Sequence, residues 1–124
     1  AEGKIVISDR FADATAAYQG AGRGFPEKTV SQIIKLATTG LKPDLTLFFD
    51  LAVEKAVERA NARSNEETRR NRMDSETLEF YGRVRRAYLE IADREPQRFR
   101  VIEANDSVAE IQQRVMEIVK EFLK

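Results

Sequence analysis

A chain of 124 residues, 42% of them hydrophobic, is long enough for one domain with an ordinary core and too short for two. Lys and Arg number 21 and Asp and Glu 21, so no net field draws the chain to nucleic acid or to an anionic membrane, and any basic site must come from local clustering. The absence of Cys and His excludes disulfides, thiolate metal sites, a cysteine nucleophile, serine-triad catalysis and zinc-hydrolase chemistry.

Lys4-Ile5-Val6-Ile7-Ser8 is a short β-branched run ending in polar residues, the pattern of a strand buried on both faces with functional side chains at its C-terminal end. Gly20, Gly22 and Gly24 follow no apolar strand, so they do not read as a dinucleotide fingerprint; their spacing suits a tight turn. Pro26 suits a first helical turn, Val30, Ile33, Ile34 and Ala37 recur at helical spacing, and Gly40 is the expected stop. Leu45–Leu51, introduced by Pro43, reads as a second buried strand, and Val53, Ala56, Val57 and Ala60 mark a helix to Arg63. That run is the longest apolar one and far too short for a bilayer, and no signal-like apolar stretch stands at the N-terminal end, so the expectation is a cytoplasmic protein.

Residues 64–71, Ser-Asn-Glu-Glu-Thr-Arg-Arg-Asn, are wholly polar and read as an exposed, mobile lid between helices. A long helix is expected from about Asp74 to Glu95, with Leu78, Tyr81, Val84, Tyr88 and Ile91 on a packing stripe and Pro96 just beyond. Phe99–Ile102 reads as a third strand. Ser107 with Glu110 forms a capping-box pattern opening a last helix through Ile111, Val115, Ile118 and Phe122. Alternating strands and helices predict a parallel α/β sheet of about three strands with flanking helices, its ligands at the C-terminal strand ends.

Asp9-Arg10 at a strand end combines a carboxylate able to hold Mg²⁺ through water with a guanidinium suited to bidentate phosphate binding; a structural ion pair is the alternative. The longer pattern is more specific. Ser8-Asp9-Arg10-Phe11, Thr15, Ala17-Tyr18-Gln19-Gly20, Gly22-Arg23-Gly24 and the run Gly-Leu-Lys-Pro-Asp-Leu-Thr at Gly40–Thr46 resemble, in order and spacing, bacterial thymidylate kinases over essentially the whole chain. The resemblance implies the P-loop nucleoside-monophosphate kinase fold and transfer of the ATP γ-phosphoryl group to dTMP, giving dTDP. It puts Arg10 on the dTMP phosphate, Asp9 near the Mg²⁺ and phosphate cluster, Thr15 and Gln19 against thymine, and Tyr18 beneath the sugar, where it disfavours a ribose 2′-hydroxyl. For Tyr18 a core aromatic is the alternative.

Arg59, Arg63, Arg69, Arg70 and Arg72 span the lid and its flanks. A solvated charged face is the bland reading of such a run. By the resemblance, Arg72, within Asn71-Arg72-Met73-Asp74, is the first choice for a catalytic lid arginine, Arg69 and Arg70 follow, and Arg63 faces ATP. Phosphoryl transfer needs cations over the migrating charge, which a closing lid can supply. Ala104-Asn105-Asp106-Ser107 corresponds to a loop packed against adenine, with Asn105 and Asp106 as its members; a plain strand-to-helix turn is equally compatible. Asp50 reads as structural.

No G-x-x-x-x-G-K-[ST] phosphate loop occurs in these residues, so the chain reads as the C-terminal portion of such a kinase, inactive alone. In the resembled family the strand entering that loop lies between the strands at Lys4–Ser8 and Leu45–Leu51. Without it each would leave a buried edge of unpaired backbone groups, at about 1–3 kcal/mol apiece. The expected partners are therefore dTMP, ATP with Mg²⁺, an N-terminal phosphate-loop segment and, as is common in the family, a second copy of the chain. The rival readings are a non-catalytic interaction or nucleotide-sensing module and a related deoxynucleotide kinase.

Overall fold

The computed structural model describes residues 2–63 and 78–124. Helix α1, Ala12–Thr15, runs directly into a π-helical segment, Ala16–Gly22. The wider turn shows in the bond from Arg23 N to the Tyr18 carbonyl five residues back, at 2.9 Å. Gly24, at φ 76°, then takes the left-handed conformation that only glycine adopts cheaply. Helix α2, Glu27–Thr38, starts after Pro26 and ends on Thr39 at φ 53° and Gly40 at φ 81°, with Gly40 N closing back on the Lys35 carbonyl at 3.1 Å.

Strand β1, Thr46–Asp50, pairs in parallel with β2, Phe99–Glu103, in a register matching Thr46 to Phe99 and Asp50 to Glu103. A parallel pair needs a long crossover, and α3, Val53–Arg63, and α4, Leu78–Arg94, lie on it. Helix α5, Val108–Phe122, follows β2 and begins with the expected capping box: Ser107 Oγ accepts from Glu110 N at 3.3 Å while Ser107 N donates to Glu110 Oε2 at 3.0 Å.

The expected strand at Lys4–Ser8 is not formed, so the sheet has two strands among the described residues rather than about three. Ile5, Val6 and Ile7 are 70, 88 and 91% exposed. Composition can favour a strand but cannot supply a ladder partner, and among the described residues β1 pairs with β2 alone. The same lack of cover shows on α2, where Val30 is buried but Ile33 and Leu36 face solvent, and on α5, which has no buried residue.

The core has two lobes. Phe99 and Ile102 of β2 are almost fully buried; Phe48 of β1 stacks on Tyr88 at 4.6 Å, and Tyr88 on Phe99 at 6.3 Å. Ala17, Phe80 and Val84 form the second lobe, against which Tyr18, Tyr81, Ala87 and Tyr88 pack, so Tyr88 joins the two. The N-terminal ends of both strands meet at Arg98. Its guanidinium donates twice to Asp13, at 2.9 and 3.0 Å, to Glu95 at 2.8 Å and to Thr46 Oγ1 at 3.1 Å. Asp13 and Arg98 are largely buried, and this fork fastens α1 to the sheet.

Candidate functional site

Arg10 lies at φ 64°, a conformation costing a non-glycine residue about 1–2 kcal/mol. The Ser8 hydroxyl supports it by donating to the Arg10 carbonyl at 3.0 Å. The Arg10 guanidinium, on an exposed residue, stands 4.6 Å from the Tyr18 ring centroid in a cation–π contact and also faces the Tyr88 hydroxyl. Asp9, beside it, is exposed.

Tyr18 meets Phe80 edge to face at 5.9 Å and lines a cleft of about 260 Å³. Phe48 and Leu51 from the β1 side, Val57 of α3, and Tyr81, Val84 and Tyr88 of α4 make the cleft mainly apolar. Burial, with Tyr18 adding to it, pushes the Tyr88 phenol above its ordinary range, against an opposing effect of Arg10. Tyr88 is thus a neutral hydroxyl at physiological pH, able to donate and accept. Among the described residues the charged side chain on the cleft wall is Arg85, held by Asp50 through bonds of 2.7 and 3.1 Å. That bonding, against the opposing effect of burial, raises the Arg85 pKa, and it ties the end of β1 to α4. An aromatic cleft with a cation beside one wall suits a flat, polar ring attached to an anionic group.

Of the residues singled out from sequence, the fold brings Arg10, Tyr18 and the cleft together. Thr15 is exposed and Gln19 half-buried, and neither lines the cleft. Arg69, Arg70 and Arg72 lie outside the described residues; Arg63 ends α3, and its side chain also lies outside them. Sequence reasoning took the stripe Tyr81, Val84, Tyr88 only for packing, whereas one side of it is the cleft wall. The hydroxyls on two of its members were the available signal.

Beyond β2, Asn105 Oδ1 accepts from Lys55 Nζ at 2.9 Å and the Ala104 carbonyl from Arg59 at 3.0 Å, while Ala104 N donates to the Asp50 carbonyl at 2.8 Å. Asp106 pairs with Arg114 at 2.5 Å. Among the described residues no three His, Cys, Asp or Glu converge on a metal position. The single exposed carboxylate of Asp9 fits a magnesium ion held chiefly by substrate phosphates and water.

The family model described as thymidylate kinase matches residues 1–115. The chain is similar to a thymidylate kinase of Desulfosudis oleivorans, 46% identical over 94% of the chain and 56% of that protein. It is also similar to one of Oenococcus oeni, 40% identical over all of the chain and 57% of that protein. It therefore spans about half the length of the curated relatives it matches. Among solved structures it resembles the thymidylate kinase of Ehrlichia chaffeensis, at a TM-score of 0.63 and 29% identity over 94% of the chain and 49% of that one. A family model matching residues 1–115 and relatives 40–46% identical along nearly all of its length make this chain a member of the thymidylate kinase family.

Proposed function

We propose that this chain is the monophosphate-binding portion of a kinase that transfers the γ-phosphoryl group of ATP to dTMP, giving dTDP and ADP. The observation that carries the reading is Arg10 held over Tyr18 at the rim of the aromatic cleft. A phosphate on the Arg10 fork places the attached sugar beside the Tyr18 ring and the base toward Phe48, Tyr81 and Tyr88. An oxygen of the dTMP phosphate attacks the γ-phosphorus of ATP, the bond from that phosphorus to the β–γ bridging oxygen breaks, and ADP carries the electron pair away. The protein positions and neutralises: Arg10 binds the acceptor, Tyr18 crowds a ribose 2′-hydroxyl, and Thr15 and Gln19 face the base edge. Arg63, Arg69, Arg70 and Arg72 cover the transferring group and ATP, and Asn105 and Asp106 flank adenine. Asp9 would hold, through water, a magnesium ion carried on the phosphates, and that ion would supply charge neutralisation when bound.

The activity requires a glycine-rich phosphate loop, which these residues lack. The edge of β1 that has no partner among the described residues, the exposed Ile5–Ile7 run and the half-length match to relatives support a further segment that pairs beside β1. Its docking converts Lys4–Ser8 into the strand its composition favours. A homodimer in the cytoplasm completes the proposal; among the described residues no helix is long and apolar enough to cross a membrane.

The test is steady-state kinetics on the polypeptide that joins this chain to its phosphate-loop segment. Arg10→Ala is expected to lower kcat/KM for dTMP by about 10²-fold or more through lost charge-assisted phosphate bonds. Turnover of dTMP near the unmodified rate would remove Arg10 from the site, and no phosphorylation of dTMP by the unmodified polypeptide would overturn the function.

A further inference from the structure

The Tyr88 ring stacks on Phe48 of β1, with centroids 4.6 Å apart and planes 21° from parallel, and on Phe99 of β2 at 6.3 Å. Held against both strands, the ring has little freedom to turn aside, so its hydroxyl has a fixed place in the cleft that Tyr88 and Tyr18 line together. That hydroxyl faces the Arg10 guanidinium, which also stands over the Tyr18 ring at 4.6 Å. Arg10 itself is exposed and sits on a backbone at φ 64°, so its long side chain takes its direction from the tyrosines it meets. The Asp13 carboxylate also acts electrostatically on Tyr88, but it is taken by Arg98 through bonds of 2.9 and 3.0 Å. A carboxylate in the place of Tyr88 would cancel the Arg10 charge. A phenol pushed above its ordinary range by burial stays neutral, and it orients the guanidinium while leaving that charge for an anion.

We propose that Tyr88 is a positioning residue for the acceptor phosphate: its hydroxyl, locked in place by the stacks on Phe48 and Phe99, holds the Arg10 guanidinium over Tyr18 so that the remaining N–H groups meet the phosphate. The inference rests on the reading of Arg10 as the group that binds the dTMP phosphate, and deepens it. An arginine side chain loses much rotamer freedom when it is fixed on a ligand. A hydroxyl and a ring that already restrain it reduce the loss left for the moment of binding, which is the gain of preorganisation. The α4 stripe thereby does more than pack: through Tyr88 it links the two-stranded sheet to the phosphate site. Because Arg10 is exposed, the effect of a single hydroxyl is modest.

Tyr88→Phe keeps the ring and its stacks and removes the hydroxyl alone. In steady-state kinetics on the joined polypeptide it is expected to raise KM for dTMP about three- to tenfold, with KM for ATP unchanged and kcat within about twofold of the unmodified value. Because the hydroxyl acts through Arg10, Tyr88→Phe added to Arg10→Ala should lower kcat/KM for dTMP no further than Arg10→Ala alone. An unchanged KM for dTMP in Tyr88→Phe would overturn the proposal. Full additivity of the two changes would also overturn it, since the hydroxyl would then act independently of Arg10, as would equal rises in KM for ATP and dTMP, which mark general loss of structure. Failure of the unmodified polypeptide to phosphorylate dTMP, or an Arg10→Ala polypeptide as active as the unmodified one, would instead overturn the reading on which the proposal rests.

Discussion

A Cβ built on Gly22 would stand 2.8 Å from Phe80 Cε2, 3.0 Å from Val84 Cγ2 and 3.1 Å from Phe80 Cζ. Carbon atoms pack best at about 3.5–4.0 Å, so the Phe80 ring would have to retreat by roughly half an ångström or more. It has nowhere to go: Phe80 and Val84 are 5 and 4% exposed and packed against Ala17, Tyr18 and Tyr81. Overpacking of this kind costs about 1–3 kcal/mol, and alanine returns up to about 1 kcal/mol through its better helical propensity. Gly22→Ala should therefore destabilise the fold by about 1–2 kcal/mol. Gly20, in the same π-helical segment, has nothing within 4 Å of its Cβ position and no positive φ, so Gly20→Ala should be neutral or stabilising by about 0.4–1 kcal/mol. Urea unfolding monitored by circular dichroism measures both, the midpoint moving in opposite directions at constant slope. Phe80→Leu, costly alone, should cost less when added to Gly22→Ala because it makes room for the methyl group. Equal stability of Gly22→Ala and Gly20→Ala, or strict additivity of the Gly22 and Phe80 changes, would refute this account of the packing behind the cleft.

Arg98→Met should leave the largely buried Asp13 carboxylate with only the Thr46 hydroxyl, at 3.1 Å, of its present partners, and cost about 1–3 kcal/mol after allowance for residual solvent access, read as a lower urea midpoint; an unchanged midpoint contradicts it. The Arg98 hydrogen bond, ahead of smaller effects from Lys42, holds the Glu95 carboxyl below its usual range. A depressed folded pKa means that this stabilisation is complete above the unfolded glutamate value of about 4.3 and is lost as pH falls through the folded one. The acid limb of a stability profile from pH 6 to pH 2 should therefore be shallower in Arg98→Met, and parallel profiles would dissociate Glu95 from Arg98. Tyr18→Ala in the joined polypeptide should relax the rejection of the ribo analogue of dTMP, measured as the ratio of kcat/KM values; an unaltered ratio would free Tyr18 from that role.

Local patterns were enough for most elements of this protein. The period of Tyr81, Val84, Tyr88 and Ile91 marked α4, the pair Ser107 and Glu110 marked the start of α5, and Pro43 with the run after it marked β1, because capping, helical spacing and β-branched composition act over a few neighbours. The order Ser8-Asp9-Arg10-Phe11, Ala17-Tyr18-Gln19-Gly20 and Gly22-Arg23-Gly24 likewise carries the family resemblance that the match over residues 1–115 bears out. Lys4–Ser8 shows the limit: its strand-like composition is plain, but a strand exists only with a hydrogen-bonding neighbour, and that is a tertiary fact.

What the sequence alone determined was the alternation of elements, their ends and the residue types fit for phosphate chemistry. Only the tertiary structure decided which distant groups share a wall or a charge. Tyr88 became both core and cleft because α4 crosses β1 at Phe48. Asp13 met Arg98 across 85 positions, and Arg114 and Lys55 closed on one loop from two helices. Contacts between residues so far apart depend on how the elements pack, which no local pattern encodes.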